Sequence, residues 1–160
     1  MNIRFQIKSA LFSLISTAVF DIPVNGFSTW NLTGRRLKLW TAVPKESQPA
    51  MFLVQHRETY QEYGAGQLRR RYLDLGAWCY APTGDPAAGD NTIIGDDLLD
   101  AMEIAIENAL VPDDTERNEL TLNGLCYWAR IDRTNGLHIR DPGDIDGQAF
   151  LCLPIRVLLP

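Results

Sequence analysis

What this chain has little of narrows its possible work before any pattern is read. It carries two histidines, His56 and His138, and three cysteines, Cys79, Cys126 and Cys152, in 160 residues. The histidines belong to no HExxH, HxH or HxxxH pattern that would aim two imidazoles at one metal, and the cysteines form no CxxC. The cysteines lie in apolar, strand-like runs, so they read as small buried hydrophobes in a reducing compartment, and their odd number disfavours a disulfide framework. No cofactor is expected, and no GxSxG elbow accompanies the serines. Basic residues number 15 against 20 acidic, a net charge of −5 that argues against a general nucleic-acid binder and leaves only a local basic patch open. No apolar run is long enough to span a bilayer. Arg4 and Lys8 precede the apolar run Ala10 to Phe20 as a signal peptide's charged region precedes its core. Ser13, Ser16 and Thr17 interrupt that run, however, and no small-x-small cleavage site follows. An ordinary packed helix is the expectation.

What is present is the material of one α+β domain over residues 1–160. The chain is 46% hydrophobic and 22% charged, enough at this length to bury roughly 70% of the unfolded surface without metal or disulfide staples. Two stretches share one organisation: an amphipathic segment, 3–19 and then 96–110, followed by alternating apolar and polar runs. At 100° per residue, Ile3, Ile7, Ala10, Leu11, Leu14, Ile15 and Ala18 fall on one arc, while Phe5, Phe12 and Val19 form a flanking stripe spaced by sevens. That stripe suits a subunit contact or a loop of the same chain. In the second segment Leu98, Leu99, Met102, Ala105, Ile106, Ala109 and Leu110 share an arc, and Asp96, Asp100, Glu103 and Glu107 face away. Asp96 or Asp97 is expected as the N-cap, with Pro112 beyond the end.

Strands follow from alternation. Asp21 to Gly34 reads as a long connection pinned by Phe27, Trp30 and Leu32. Leu37, Leu39 and Thr41 alternate with Arg36, Lys38 and Trp40, which predicts a strand hairpinned through Pro44 to Pro49 into Ala50 to Arg57. Leu68 to Tyr80 reads as a long strand with Leu73, Leu75, Ala77 and Cys79 on one face and Tyr72, Trp78 and Tyr80 on the other. Ala81 to Gly95 is a loop dense in proline, glycine and aspartate. Leu120 to Asp132 and Gln148 to Leu158 are the last strands, and Pro154 in the second implies an edge or a bulge. The expected fold is therefore a mixed, mainly antiparallel sheet flanked by two main helices.

Three clusters invite chemistry. Asp141, Asp144, Asp146 and Gly147 resemble a fragment of a calcium loop, but the ligand order and outer helices of an EF-hand are missing, and aspartates in such loops commonly cap turns. Gly64 and Gly66 make a GxG whose third glycine is replaced by Arg69, with no helix after it. Arg69, Arg70 and Arg71 form the densest basic run; in a strand Arg69 and Arg71 share a face and Arg70 takes the other. They suit salt bridges to the acidic helix residues Asp100, Glu103 and Glu107 across a subunit boundary, a solvated strand end, or contact with DNA.

The order of these elements resembles the tail terminator (tail completion) proteins of long-tailed bacteriophages. The resemblance rests on the N-terminal helix, Pro49-Ala50-Met51-Phe52-Leu53 leading into an early strand, and a long strand closed by a proline loop. It continues through a Leu98-Leu99-Asp100-Ala101-Met102 helix, Asn123-Gly124 opening the next strand, and a terminal Ile155-Arg156-Val157, so it covers nearly the whole chain. It implies a non-enzymatic virion protein that forms rings of about six copies. Such a ring caps the tail tube, ends its polymerisation and presents a surface to a head-completion or neck protein, with genomic DNA passing through the lumen unread. It implies assembly in the host cytoplasm, a place at the head-proximal end of the tail and no membrane partner. The ring contacts it implies would use Phe5, Phe12, Arg69, Arg70, Arg71, Asp100, Glu103 and Glu107. A head-tail connector or neck adaptor, binding the portal side instead, and a small hydrolase using His56 or His138 are the competing readings.

Overall fold

The computed structural model describes residues 2–24, 26–62, 64, 69–84, 89, 94–143 and 147–160, with the side chains of 21–24 left aside. Helix α1 (Ile3–Ser16) opens at Asn2, whose side-chain oxygen accepts a hydrogen bond from the Arg4 N–H at 2.9 Å, satisfying a donor the first turn would otherwise leave free. Its buried residues are Ile7, Leu11 and Ile15, one face at a spacing of four. Helix α2 (Gly95–Ala109) buries Leu98, Leu99, Met102, Ala105 and Ile106. Its N-cap is Ile94 with no side-chain cap bond; Asp96 and Asp97 lie inside the first turn, where a carboxylate still favours the positive end of the helix.

The main sheet runs β3 (Leu32–Gly34), β4 (Ala50–Gln61), β5 (Arg70–Pro82), β8 (Gln148–Leu158) and β6 (Trp128–Ile131), with β7 (Ile139–Asp141) also on β8. Every pairing is antiparallel except β3 with β4. A separate antiparallel pair, β1 (Val19–Val24) and β2 (Phe27–Thr29), packs beside α2. Expectation and structure agree on the α+β class and on the mainly antiparallel sheet with two helices.

Alternation sorts the two sheet faces. Leu73, Leu75, Ala77 and Cys79 of β5 and Leu151, Leu153, Ile155 and Val157 of β8 meet α1, α2, Phe20 and Trp30 in one large core. Burying a side chain of this size contributes about 1.5–3 kcal/mol before entropy is charged against it. Trp30 is fixed in that layer by an Nε1–H bond to the Ile15 carbonyl, 2.9 Å. Among the described residues no α-helix covers the opposite face. There Val43, Ala50, Phe52 and Tyr80 form a smaller cluster with Val54, Trp78 and Phe150 at its margin.

Several sequence expectations are corrected here. Asp21 to Gly34 is not a bare connection but the β1–β2 pair followed by β3. Residues 36–39 are not a strand: the chain crosses the helix-free face and makes two 3-10 turns, Trp40–Ala42 and Lys45–Ser47, so β4 pairs with β3 in parallel instead of closing a hairpin. The apolar alternation of Leu37 and Leu39 serves an aromatic cleft instead of a sheet. Only Trp128–Ile131 of the expected strand at 120–132 pairs with β8, because Leu122, Asn123 and Gly124 all take positive φ and turn the chain. Val19 belongs to β1, which breaks the stripe it was to share with Phe5 and Phe12. Pro154 is interior and unbulged, opposite Gly76. Its carbonyl accepts from the Asp132 N–H at 3.0 Å, so its ring nitrogen points the same way, into the gap between β6 and β7 where no ladder donor is needed. Asp144, Asp146, Gly66 and most of the 81–95 loop lie outside the described residues.

Gly95 makes the tightest approach between α2 and the β7 end of the sheet. A Cβ there would sit 1.7 Å from the Pro142 carbonyl oxygen, a backbone atom that cannot swing aside. Gly95→Ala is therefore expected to destabilise the fold by about 1–3 kcal/mol despite the better helix propensity of alanine, as read by urea denaturation. An unchanged or raised midpoint would show that this approach is not tight in solution.

Candidate functional site

The charged and aromatic side chains that the fold gathers lie on the helix-free face. Arg57, Asp74, Arg156 and Arg130 form one row across β4, β5, β8 and β6. Asp74 accepts a hydrogen bond from Arg57 Nε–H at 2.9 Å and is ion-paired with Arg156, whose Nε lies 3.1 Å away without hydrogen-bond geometry, while Arg156 Nη1 donates to Asp132 at 3.4 Å and Nη2 to Thr59 Oγ1 at 3.1 Å. The Arg156 guanidinium also lies 4.3 Å from the Tyr72 ring centroid, and that of Arg130 lies 4.1 Å from Trp128. Arg156, Asp74 and Asp132 have side chains only 10–15% exposed, so this is an ion pair network withdrawn from solvent. Burial by itself raises Asp132. Hydrogen bonds from the Asn135 side chain and from the Asn135 and Thr134 N–H groups, with the Arg156 charge, outweigh it and hold the carboxyl below its usual value.

A bulge builds the rest. Between Gln55 and Arg57 the β4–β5 register slips by one residue, leaving His56 extra. Two consecutive side chains, His56 and Arg57, therefore face the same way. Gln55 and Glu58 turn to the other face, where Lys8 and Arg4 of α1 bind them at 3.1 and 2.8 Å. His56 Nε2 accepts from Trp78 Nε1–H at 2.9 Å, which places the proton of the neutral ring on Nδ1. Burial lowers the His56 pKa, with Asp74 pulling it up and Arg57 adding to the depression. These residues, with Asn135, Leu137 and Pro154, line a cleft of about 510 Å³. Trp78 also borders a second cleft of about 380 Å³ lined by Leu37, Leu39, Trp40, Tyr80 and Phe150. Tyr80 and Phe150 stack at 5.6 Å, and Tyr80 donates its hydroxyl to the Lys38 carbonyl at 3.0 Å, holding the 36–40 segment over the face.

The residues singled out by sequence do not converge. Phe12 packs against the core, and Phe5 is half exposed beneath the Arg35 guanidinium, 5.0 Å from its ring. The acidic helix face is used within the chain: Glu103 is buried and binds Arg133 and Arg140, Glu107 binds Arg133, and Asp100 binds Arg140 at 2.6 Å. Glu103 thus does not face away, and all three carboxylates have partners within the chain, Asp100 and Glu107 remaining exposed beside theirs. Arg69 pairs with Glu62 at 2.8 Å and Arg71 donates to the Pro160 carbonyl at 2.7 Å. Arg69 and Arg70 share a further cleft of about 480 Å³ with Tyr127, Trp128 and Leu158. Asp141 accepts from the Gly143 N–H at 2.9 Å, the turn-capping role an aspartate takes in such loops. Among the described residues no three His, Cys, Asp or Glu side chains are grouped to hold a metal, and no helix is long and apolar enough to cross a membrane. All three cysteines are free and buried, and burial pushes Cys126 and Cys152 up to about 12.

No family model and no curated protein matches this sequence. Among solved structures, a chain from one described as "Virion of native gene transfer agent (GTA) particle" is similar at 11% identity and a TM-score of 0.41, over 98% of this chain and 90% of that one. A likeness of that grade carries no argument, and the functional reading rests on this chain's own residues.

Two outcomes are expected at this face. Arg156→Leu leaves Asp74 and Asp132 buried without their shared cation and should cost about 3 kcal/mol at neutral pH by chemical denaturation. Because Asp132 is depressed in the folded state, its contribution is present above its ordinary value of 3.8 and is lost as pH falls through the folded value. Asp132→Asn should flatten stability over that acid window alone. His56, by contrast, should titrate below 6.5 in a histidine proton NMR series. A midpoint at or above 6.5 would mean that the Asp74 charge outweighs burial.

Proposed function

We propose that this chain is a structural virion protein of the tail-terminator type, not an enzyme. In this reading it assembles into a ring of about six copies that caps the tail tube at its head-proximal end, stops polymerisation and receives a head-completion or neck protein. The observation that carries the reading is the helix-free face. Leu37, Leu39, Trp40 and Leu137 are solvent-exposed beside two open clefts on a sheet whose other side is packed against α1 and α2, and apolar surface arranged in this way suits association with protein. The order of elements quoted above adds the specific family, and the α+β architecture is the one that family implies.

A hydrolase built on His56 is the reading from another class, since His56 shares its cleft with Asp74. The geometry favours binding. His56 Nε2 is engaged by Trp78, Asp74 is held by two arginines, and among the described residues no serine, threonine or cysteine lines that cleft. A connector or neck adaptor would use the same kind of face toward the portal side.

The purified chain at high concentration, or bound to tail tubes, is expected to show the mass of a ring of about six by light scattering and electron microscopy. A strictly monomeric mass on tubes that still end normally would overturn the ring. Tails of uncontrolled length in particles made without the protein would favour termination, and normal tails left unattached to heads would favour the neck reading.

A further inference from the structure

Two surfaces on different sides of the molecule carry opposite charge, and each sets that charge beside exposed apolar side chains. The first begins at the β3 edge. Residues 35–47 hold Arg35, Arg36, Lys38 and Lys45 against the single acid Glu46. The side chains of Arg36, Lys38 and Lys45 make no ion pair among the described residues, and all three residues are exposed. Arg35 is occupied, donating to Ser9 Oγ at 2.9 Å over the Phe5 ring. Leu39, 71% exposed, and Trp40, 47% exposed, stand between these cations at the mouth of the aromatic cleft formed with Trp78, Tyr80 and Phe150.

The second surface lies at the opposite edge, where the chain leaves α2 and runs to β6. Asp113, Asp114, Glu116 and Glu119 follow Val111, which is 61% exposed. Asp113 is spent on the loop itself, accepting from the Thr121 and Asn123 N–H groups and the Thr121 hydroxyl, and this fixes the shape of the acidic turn. Asp114 accepts from the Glu116 and Arg117 N–H groups at 3.1 Å. Glu116 and Glu119 form no ion pair among the described residues. Arg117, 3.9 Å from Asp114, is the one base in 111–119 against the four acids Asp113, Asp114, Glu116 and Glu119. The surface stays acidic.

We propose that the basic strap 35–45 docks the acidic turn 111–119 of a second copy of this chain, with Val111 entering the aromatic cleft beside Leu39 and Trp40. The assignment rests on the ring-forming reading above and names the contact that would make the ring. Because the two surfaces are different and do not overlap, the contact is head-to-tail, the type that closes into rings or continues into filaments. Opposed charge sets its register and its rate of encounter, and the apolar insertion supplies contact that salt does not screen.

The test is a charge exchange with the full-length protein. Arg36→Glu with Lys38→Glu makes both surfaces acidic, and Glu116→Lys with Glu119→Lys makes both basic. Each double variant should keep the wild-type thermal midpoint and raise the concentration for half-assembly by about a hundredfold, because like charges then face each other. Mixed in equal amounts the two variants should assemble near the wild-type concentration as alternating rings, which sedimentation and native mass spectrometry would resolve. Wild-type-like assembly of each double variant on its own overturns the contact and leaves the ring reading standing. Loss in each variant without rescue in the mixture also overturns it, since the two surfaces would then meet other partners. Loss of duplex DNA or tail-tube binding alone in the Arg36/Lys38 variant, with self-assembly intact, assigns the strap to that partner instead. A wild-type chain that never assembles removes ring and contact together.

Discussion

Eleven antiparallel residue pairs join β5 to β8, from Tyr72 with Leu158 to Pro82 with Gln148, and the pleat of these two strands governs the rest of the molecule. Because side chains alternate across a strand, this single register sends Leu73, Leu75, Ala77, Leu151, Leu153 and Ile155 toward the helices and Asp74, Trp78, Tyr80, Phe150 and Arg156 away from them. A slip of β8 by one residue would carry Arg156 into the aliphatic core and leave Asp74 on the other face without it. The hydrophobic layer and the ion pair network are thus two results of one constraint.

The two layers are tied together by the segment between β6 and β7. Asp132 reaches Arg156 on the helix-free face, while its neighbour Arg133, with Arg140 farther on, binds Glu103 on α2. A carboxylate as enclosed as Glu103 is tolerated because two guanidiniums meet it, and removing either would leave charge uncompensated in a sheltered place. Gly136 lets this segment lie flat on Pro154: a Cβ at that glycine would come within 2.1 Å of the proline ring. The proline that cannot donate to a strand is thus covered by the turn that does not need its donor.

Much of this was legible in the residues. The 3.6-residue period of Ile7, Leu11 and Ile15 and of Leu98, Met102 and Ile106 marked both helices, and clean alternation marked β5 and β8. Failures came where a local pattern had a non-local purpose. Leu37 and Leu39 alternate as a strand would, yet neither pairs with a strand, the Leu39 carbonyl accepting from Ala42 N–H in a 3-10 turn, and their side chains border an aromatic cleft built by residues far along the chain, Trp78, Tyr80 and Phe150. Pro23 and Gly26 read as a connection, although they sit in and beside the β1–β2 pair. The helical angle of Glu103 alone points it to solvent, because nothing local shows that Arg133 and Arg140 return to cover it. The helix-free cleft was hidden for a similar reason: His56, Asp74, Asp132 and Arg156 are scattered along the chain and are assembled only by strand register.

The extra residue at His56 changes what kind of inheritance the surface is sensitive to. Exposed substitutions on β4 alter one side chain each, and most would pass with little effect. Removing His56 would restore the two-residue phase with Gln55 still opposite Leu75 and Arg57 still opposite Asp74, so every other position would keep its face. Glu58 would stay on Arg4 and Thr59 on Arg156, while the Trp78 Nε1–H would lose its acceptor in the cleft. The imidazole of the cleft thus depends on one inserted residue that the rest of the strand does not need, and a related protein could lose it through a one-residue gap without disturbing the core.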